Sequence, residues 1–375
     1  MSKNWNHQLE DRKKLGLFRQ LHPRVDSSAL NLAGNDYLLH SKNPEIIEAA
    51  CQAARDWGCS STGSPLVSGY TAIHQDLEKL LSEWYGNRPV LVWNTGYAIN
   101  QCVLSQVPEA GDLILSDRLI HNSMIQGILK SSAKLKRYDH LNLDRLEQLL
   151  EQNRGHSGQL FVVTESVFSM DGDYPDLKRI AHLKSIYDFQ WILDEAHAVG
   201  WYGNNGSGLA EELGVLDQVD ILIGTMGKSV GSMGAYMVLR EDWERDYWIN
   251  YAGEFIYSTY LSPMTVGASI RSIQMIQKNK IRMEVQTLSR KIRSLLASIG
   301  CSEIGQGDSP ILPIFIGDEH RCLEIADHLK KNKIFVGAIR PPTVPKGTSR
   351  LRISLNSQLK EKDISRFVSI LQEIL

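Results

Sequence analysis

Gly224-Thr225-Met226-Gly227-Lys228-Ser229 follows a short apolar run, Ile221 to Ile223, and decides how the rest of the chain is interpreted. A short apolar run that ends at a glycine predicts a buried strand, so Lys228 should lie on the loop where this strand ends. Proteins in which strands alternate with helices bind their ligands at such loops. A surface lysine in a turn is the plainer alternative, and this stretch alone does not separate the two.

The Gly-Lys-Ser triplet also occurs in P-loops, whose backbone amides surround phosphate groups. A P-loop requires a second glycine five residues before Gly227, and Leu222 occupies that position. The stretch therefore does not match a P-loop, and Lys228 needs a different chemical role.

The composition is that of an ordinary globular protein, and 375 residues predict two or three domains. A formal net charge of -2 argues against a nucleic-acid partner. The five cysteines form no Cys-x-x-Cys pair, which predicts neither a disulfide framework nor a metal site and favours the cytoplasm. The polar N-terminus lacks the apolar core of a signal peptide, and we expect no membrane-spanning segment.

Beyond Pro89 the chain alternates short apolar runs with helical or irregular stretches. The runs are Val90 to Trp93, Leu113 to Leu115, Leu160 to Val163, Trp191 to Leu193, Ile221 to Ile223 and Ala235 to Leu239. Strands that alternate with helices need crossover connections, so the pattern predicts an α/β fold with a mainly parallel sheet that is buried on both faces.

Polar residues and glycines follow several of these runs. A parallel sheet places its ligands at the carboxyl ends of its strands, so residues far apart in sequence can converge there. The residues at these predicted ends are Gly96, Tyr97, His121, Ser169, Asp194, His197, Thr225 and Lys228.

The pattern changes after Ser262-Pro263 to longer amphipathic helical segments, followed by the strand-like runs Ile311 to Phe315, Ile334 to Gly337 and Leu351 to Leu355. This change predicts a smaller C-terminal α+β domain. We predict an N-terminal arm at residues 1–44, a large α/β domain at 45–260 and a small domain at 261–375.

Asp194 ends an apolar run, and His197 follows three residues later. The sequence Asp-Glu-Ala-His after such a run is also found in helicases, but the incomplete P-loop, the order of the two motifs and the charge of the chain oppose that alternative. A buried acid keeps a cationic ring nitrogen protonated, and a lysine on a neighbouring loop binds an aldehyde covalently. These are the requirements of pyridoxal phosphate, which works as an electron sink only while its ring nitrogen is protonated.

Motifs in order along nearly the whole chain resemble those of the α-oxoamine synthase family of fold-type-I pyridoxal-phosphate enzymes. They are Asn35-Asp36-Tyr37-Leu38, Val67-Ser68-Gly69, Thr95-Gly96-Tyr97, Asp117 to His121, Thr164 to Asp173, Asp194 to Gly200, Gly224 to Lys228 and Tyr257-Ser258-Thr259. The resemblance implies a fold-type-I transferase with a seven-stranded type of sheet. It also implies pyridoxal phosphate as cofactor and an acyl transfer that joins an amino acid to an acyl thioester.

The resemblance implies four catalytic residues. Lys228 would bind the cofactor aldehyde and act as a base, and Asp194 would pair with the ring nitrogen. His197 would hydrogen-bond the ring oxygen, with Ser169 nearby. His121 would stack on the ring and help to position the substrate.

Further cofactor-binding residues follow from the same resemblance. Gly96 and Tyr97 would line the cofactor pocket, and Thr225 would bind the phosphate. Ser258 and Thr259 would reach the phosphate of the other subunit, which implies a homodimer with its active sites at the subunit interface.

The segment Ile339 to Ile353 resembles the C-terminal motif of the branch of this family that joins L-alanine to a pimeloyl thioester. By that match Arg19, Thr343 and His121 would contact substrate, and Arg352 would hold the amino-acid carboxylate, which suits the planar guanidinium. The chain departs from this branch at Ala198-Val199 and Ser229-Val230. A synthase that uses glycine or serine with a different acyl-CoA therefore stays an alternative.

Overall fold

The computed structural model describes residues 5–21, 23, 29–278, 281–301 and 307–375, apart from the side chains of 281–283. They form two compact units. The sheet unit comprises Asp36–Phe168 and Tyr174–Arg282, and the terminal unit comprises the described residues up to Asn35, Ser169–Asp173 and Met283–Leu375. This division differs from the domain boundaries expected after residues 44 and 260, which stay a prediction.

The described strands are β1 (Leu30–Asn31), β2 (Val90–Trp93), β3 (Leu113–Asp117), β4 (Lys134–Tyr138), β5 (Leu160–Glu165), β6 (Gln190–Asp194), β7 (Ile221–Thr225), β8 (Ala235–Val238), β9 (Ile311–Gly317), β10 (Ile334–Phe335), β11 (Gly337–Ile339) and β12 (Ser349–Ser354). The described α-helices are α1 (Trp5–Lys14), α2 (Pro44–Trp57), α3 (Ala72–Trp84), α4 (Gly96–Gln106), α5 (Asn122–Ile128), α6 (Leu143–Gln152), α7 (Leu177–Ile186), α8 (Leu209–Glu212), α9 (Asp242–Tyr251), α10 (Gly253–Ile256), α11 (Pro263–Lys278), α12 (Ile281–Ser298), α13 (Glu319–Lys331) and α14 (Glu361–Ile374).

The sheet unit contains a seven-stranded sheet in the order β2-β8-β7-β6-β5-β3-β4. All its strands run parallel except β8, which is antiparallel to both of its neighbours. The prediction of a mainly parallel α/β sheet is therefore confirmed, and each apolar run predicted for this region forms a strand. Strand β4 was not predicted, because this edge strand carries Lys134, Lys136 and Arg137 and is largely exposed.

The register of the central strands places three polar residues at one edge of the sheet. Glu165 at the end of β5 is paired with Asp194 at the end of β6. Asp194 is in turn paired with Ile223 of β7, which ends two residues later at Thr225. Every residue of β5 is buried, as are the last four residues of β6, so these side chains lie where water is largely excluded.

Helix α4 begins at the carboxyl end of β2 and brings Gly96 and Tyr97 to the same part of the unit. Thr95 caps this helix, since its hydroxyl accepts a hydrogen bond from the Ala98 amide at 3.1 Å. The capped helix leaves the other amides of its first turn available to an anion, which the helix dipole also favours.

The terminal unit has an antiparallel sheet in the order β11-β12-β9, and β1 pairs with β10 in parallel. The run predicted at Ile334 to Gly337 is divided between β10 and the start of β11. One turn of π-helix spans Pro65–Gly69 and contains the motif Val67-Ser68-Gly69. Within the described ranges, every helix is too short or too polar to cross a lipid bilayer.

Gly224 of β7 is required by close packing against β8. A Cβ atom at this position would lie 2.2 Å from Cζ of Tyr236, a fully buried residue that is paired with Gly224 across the two strands. We expect Gly224→Ala to lower the free energy of unfolding by about 1–3 kcal/mol, because overpacking forces side chains and backbone to shift. Urea unfolding followed by circular dichroism measures this change.

Gly227→Ala is the matched control, since the nearest atom to its added Cβ is Oγ1 of Thr225 at 3.6 Å. Its free energy of unfolding should stay within about 1 kcal/mol of the wild-type value. Equal destabilisation by both substitutions would show that close packing does not set the requirement for glycine at 224.

Candidate active site

A cavity of about 180 Å³ opens at the carboxyl edge of the large sheet. Its lining residues all belong to the sheet unit and are Gly96, Tyr97, Asn100, His121, Ser123, Glu165, Asp194, Ala196, His197, Ile223, Gly224, Thr225 and Lys228. The structure thus brings together seven residues that the sequence pattern had placed at strand ends. They are Gly96, Tyr97, His121, Asp194, His197, Thr225 and Lys228.

Asp194 carries the buried acidic group of this pocket, with 7% of its surface exposed. Its carboxylate accepts hydrogen bonds from Nδ2 of Asn100 at 2.8 Å and from the Ala196 amide at 2.9 Å. A buried carboxylate is tolerated only when such donors replace water. The arrangement suits a carboxylate that pairs with a protonated ring nitrogen.

His121 is connected to Asp194 through two intermediate side chains. Its Nδ1 lies 2.6 Å from Oγ of Ser123, which accepts a hydrogen bond from Nδ2 of Asn100 at 3.0 Å. Burial lowers the pKa of His121; the negative charge of Asp194 opposes this shift and the positive charge of Lys228 adds to it. The imidazole is therefore neutral at neutral pH and presents a flat ring to the pocket.

His197 is held in place by Tyr37. The Tyr37 hydroxyl lies 2.7 Å from Nδ1 of His197, and Tyr37 itself is completely buried with its ring edge-on to Trp201. The contact fixes the orientation of the His197 ring, which lines the pocket.

Lys228 lies in the loop that joins β7 to β8 and lines the pocket. The loop is closed by hydrogen bonds from the Met226 amide to the Gly234 carbonyl at 2.9 Å and from the Gly231 amide to the Lys228 carbonyl at 2.8 Å. Gly231 has a φ of 69°, and a Cβ atom there would lie 2.4 Å from the Ser41 amide nitrogen. These contacts fix the backbone from which the lysine extends.

Ser258 and Thr259 lie in the sheet unit but do not line this pocket. Ser258 lines a second cavity of about 220 Å³, and its hydroxyl donates to the Glu254 carbonyl at 2.7 Å. The Thr259 carbonyl accepts a hydrogen bond from Asn94 at 2.7 Å. Their expected role at the phosphate of another subunit stays a prediction.

Four predicted residues belong to the terminal unit, namely Arg19, Ser169, Thr343 and Arg352. Arg352 is buried, and its Nε donates to the Ser169 carbonyl at 2.6 Å. Its Nη1 donates to Oδ1 of Asn35 at 3.0 Å and to Oγ of Ser354 at 2.8 Å. Nη2 of Arg19 donates to Oγ1 of Thr343 at 2.9 Å.

The sequence analysis did not single out several residues that build the pocket, chiefly Tyr37, Asn100, Ser123 and Glu165. Asn100 and Glu165 had a recognisable pattern, because each is a polar residue beside apolar residues of a helix or strand. A polar group in such a position is buried only where it has a partner or a function.

The pocket fits pyridoxal phosphate on the chemistry of its side chains. Lys228 can bind the aldehyde, Asp194 the ring nitrogen, and Thr225 with the first turn of α4 the phosphate. Oδ1 of Asn100 and Oε1 of Glu165 are buried without a hydrogen-bond partner among the described residues. Two unsatisfied polar atoms in one cavity indicate a polar ligand.

Comparisons with known proteins agree with this chemistry. The family model for aminotransferase class I and II matches residues 27–371. The 8-amino-7-oxononanoate synthase of Geotalea daltonii is 37% identical over 383 residues, covering 99% of this chain and 97% of that protein.

Two solved structures are also similar. One is serine palmitoyltransferase of Sphingomonas wittichii, with a TM-score of 0.88, 26% identity and coverage of 92% of this chain and 87% of that one. The other is 8-amino-7-oxononanoate synthase of Francisella tularensis, with a TM-score of 0.80, 27% identity and coverage of 93% and 98%.

The chain therefore belongs to the aminotransferase class I and II family and has the predicted fold-type-I architecture. More narrowly, it is an acyltransferase of the α-oxoamine synthase group that resembles 8-amino-7-oxononanoate synthases, and its cofactor is pyridoxal phosphate. The helicase-like interpretation of Asp194 to His197 is not supported by these findings.

Removing the Tyr37 hydroxyl should weaken cofactor binding. We expect Tyr37→Phe to raise the Kd for pyridoxal phosphate roughly threefold to tenfold, because His197 loses one net hydrogen bond that orients it. Titration of the apoprotein with cofactor, followed by the visible absorption band, gives this Kd.

Tyr85→Phe is the matched control, since Tyr85 is also buried and its hydroxyl donates to the Ser207 carbonyl at 2.6 Å without lining the pocket. It should affect thermal stability but leave the cofactor Kd unchanged. If both substitutions changed the Kd equally, the contact between Tyr37 and His197 would have no specific effect on the cofactor.

Proposed function

We propose that the enzyme condenses L-alanine with pimeloyl-CoA, or pimeloyl carrier protein, to 8-amino-7-oxononanoate with release of the thiol and carbon dioxide, in biotin biosynthesis. The names of the full-length relatives support this proposal. The observation that carries it is a cationic cavity in the terminal unit, which matches the free carboxylate of a pimeloyl chain.

The cationic cavity has a volume of about 180 Å³ and is lined by Leu17, Arg19, Ala338, Ile339, Arg340, Pro341 and Thr343. Both arginines line this one cavity. Burial lowers the pKa of Arg340 and the charge of Arg19 adds to the lowering, while Cys322 and Glu319 oppose it. Within the part of the chain that the structure describes, neither is ion-paired with a carboxylate. Two adjacent cations beside apolar side chains favour an acyl chain that ends in a carboxylate over one that ends in a methyl group.

The proposed roles of Asp194, Lys228, His121 and His197 are supported by their place in the pocket, whereas those of Ser169 and Arg352, in the terminal unit, rest on the family resemblance. The cofactor, when bound, supplies an electron sink for the carbanion formed at the α-carbon of the amino acid. Asp194 would keep the ring nitrogen protonated, and Lys228 would hold the cofactor and then accept the α-proton at Nζ. His121 would stack on the ring, His197 would hydrogen-bond the ring oxygen with Ser169 nearby, and Arg352 would bind the substrate carboxylate.

We also propose that the enzyme is a cytoplasmic homodimer in which Ser258 and Thr259 of one subunit reach the cofactor phosphate in the active site of the other. Tyr257, next to this pair, is 85% exposed, and Val67 is 82% exposed, which leaves apolar surface for a partner subunit to cover. The five cysteines are free in the structure, and free cysteines suit a reducing compartment. Light scattering during size-exclusion chromatography tests the dimer.

A panel of amino acids and acyl thioesters tests the substrates. Thiol release should be fastest with L-alanine and pimeloyl-CoA, slower with glycine or serine, and absent in Lys228→Ala. A preference for serine with a long monocarboxylic acyl-CoA would contradict the proposal and place the enzyme beside its serine palmitoyltransferase neighbours.

A substitution in the cationic cavity tests how the acyl chain is recognised. We expect Arg19→Gln to lower kcat/KM for pimeloyl-CoA by about 10-fold to 100-fold, because a charge-assisted hydrogen bond to the terminal carboxylate is lost. In the same variant, kcat/KM for heptanoyl-CoA, which has no terminal carboxylate, should change by less than about twofold. Arg12→Gln, on the exposed helix α1, is the control. It should change kcat/KM for either thioester by less than about twofold. An equal loss with both thioesters in Arg19→Gln would exclude recognition of the carboxylate.

A further inference from the structure

Glu165 lines the active-site pocket but has no part in the catalytic scheme described above. It ends β5, is 3% exposed, and its Oε1 atom is buried without a hydrogen-bond partner among the described residues. Its neighbour in the sheet register is Asp194. A buried carboxyl group with an unsatisfied oxygen that borders a ligand cavity requires an explanation.

The two adjacent acidic groups cannot both be charged in this environment. Asp194 has two hydrogen-bond donors, Asn100 and the Ala196 amide, which stabilise its negative charge. Burial raises the pKa of Glu165 well above its ordinary value; the charge of Asp194 raises it further, while Lys228 and the His121 backbone oppose the shift. The proton therefore resides on Glu165, which makes this side chain a hydrogen-bond donor.

The order of the strands indicates which side of a bound cofactor Glu165 would face. Strand β6, with Asp194 at its end, lies between β5 and β7. Glu165 is on the β5 side of Asp194, whereas Thr225 ends β7 and Lys228 follows it. In pyridoxal phosphate the ring hydroxyl and the phosphate arm are on opposite sides of the line from ring nitrogen to aldehyde. If the nitrogen were at Asp194 and the phosphate at Thr225, the oxygen side of the ring would face β5.

We propose that Glu165 is a further cofactor-binding residue that acts as a neutral carboxylic acid and donates a hydrogen bond to the ring oxygen of pyridoxal phosphate. The ring oxygen has enough lone pairs to accept a hydrogen bond from Glu165 and another from His197. The proposal rests on the placement of the cofactor between Asp194 and Thr225, but it is independent of which amino acid and thioester the enzyme uses.

Two substitutions at position 165 separate a neutral donor from a charged group. Glu165→Gln keeps the shape and a donor but removes the acid, whereas Glu165→Leu removes the donor at similar size. We expect the Kd for pyridoxal phosphate to stay within about threefold of wild type in Glu165→Gln and to rise about tenfold in Glu165→Leu. Urea unfolding of each apoprotein checks that the fold is intact.

Infrared difference spectroscopy on the wild-type protein with and without cofactor tests whether the Glu165 carboxyl is protonated. This measurement does not rely on the Kd values of the variants. The carbonyl stretch of a neutral carboxylic acid should shift when the cofactor binds, and this band should be missing from the difference spectrum of Glu165→Gln. Glu195→Gln is the matched control. Burial raises the pKa of Glu195 to about 8, and its Oε2 also lacks a partner among the described residues. Glu195 does not line the pocket, however. Its difference spectrum should retain the shifted band.

Two results would overturn the proposal. One is a cofactor-induced band that persists in Glu165→Gln, because another acid would then be responsible. The other is a loss of affinity in Glu165→Gln as large as in Glu165→Leu, because the enzyme would then need the carboxylate itself.

Discussion

The burial of one negative charge, on Asp194, constrains the rest of the pocket. An ionised carboxylate that leaves water loses several kcal/mol of hydration unless other groups replace the water. Here the replacement is made by Asn100 and the Ala196 amide, since both donate to the carboxylate within 2.9 Å. Each of these donors is fixed in turn, Asn100 by its place in α4 and Ala196 by the turn that follows β6.

The charge of Asp194 also restricts what its neighbours can be. A second carboxylate in register with it has to be neutral, and Glu165 satisfies this requirement by keeping its proton. On the other side, the path through Asn100 and Ser123 reaches His121, whose burial keeps the imidazole uncharged. The pocket thus holds its fixed negative charge at one point, which suits a cofactor with one cationic ring nitrogen.

The sheet and the main site residues could be predicted because both depend on local sequence. An apolar run predicts a strand wherever it occurs, and in a parallel sheet the residues after such runs meet at one edge. This is why the sequence pattern could place Asp194, Thr225 and Lys228 at one edge of the sheet, where all three line one pocket. The residue numbers alone do not show which residues are neighbours in space. The position of a residue at the carboxyl end of a parallel strand does.

The features that the sequence did not predict depend on partners that are distant in the chain. Leu30 and Asn31 pair with Ile334 and Phe335, so the N-terminal arm shares a unit with the C-terminal region, although no local pattern indicates this. Tyr37 likewise acquires its role only through His197, a residue 160 positions away. Strand β4 was not predicted for a different reason. It lies exposed at the edge of the sheet and carries lysine and arginine where a buried strand would have an apolar run.

The reversed strand β8 explains how Lys228 comes to line the pocket. In a wholly parallel sheet, the chain that leaves β7 must return to the opposite edge through a crossover before it forms another strand. Because β8 is antiparallel, the chain turns back directly, and Thr225 at the end of β7 pairs with Ala235 at the start of β8. The loop between this pair is therefore held at both ends, and Lys228 within it stays at the carboxyl edge beside Asp194. A P-loop, by contrast, leads from its strand into a helix, so the strand that follows Lys228 excludes that motif as firmly as the missing glycine does.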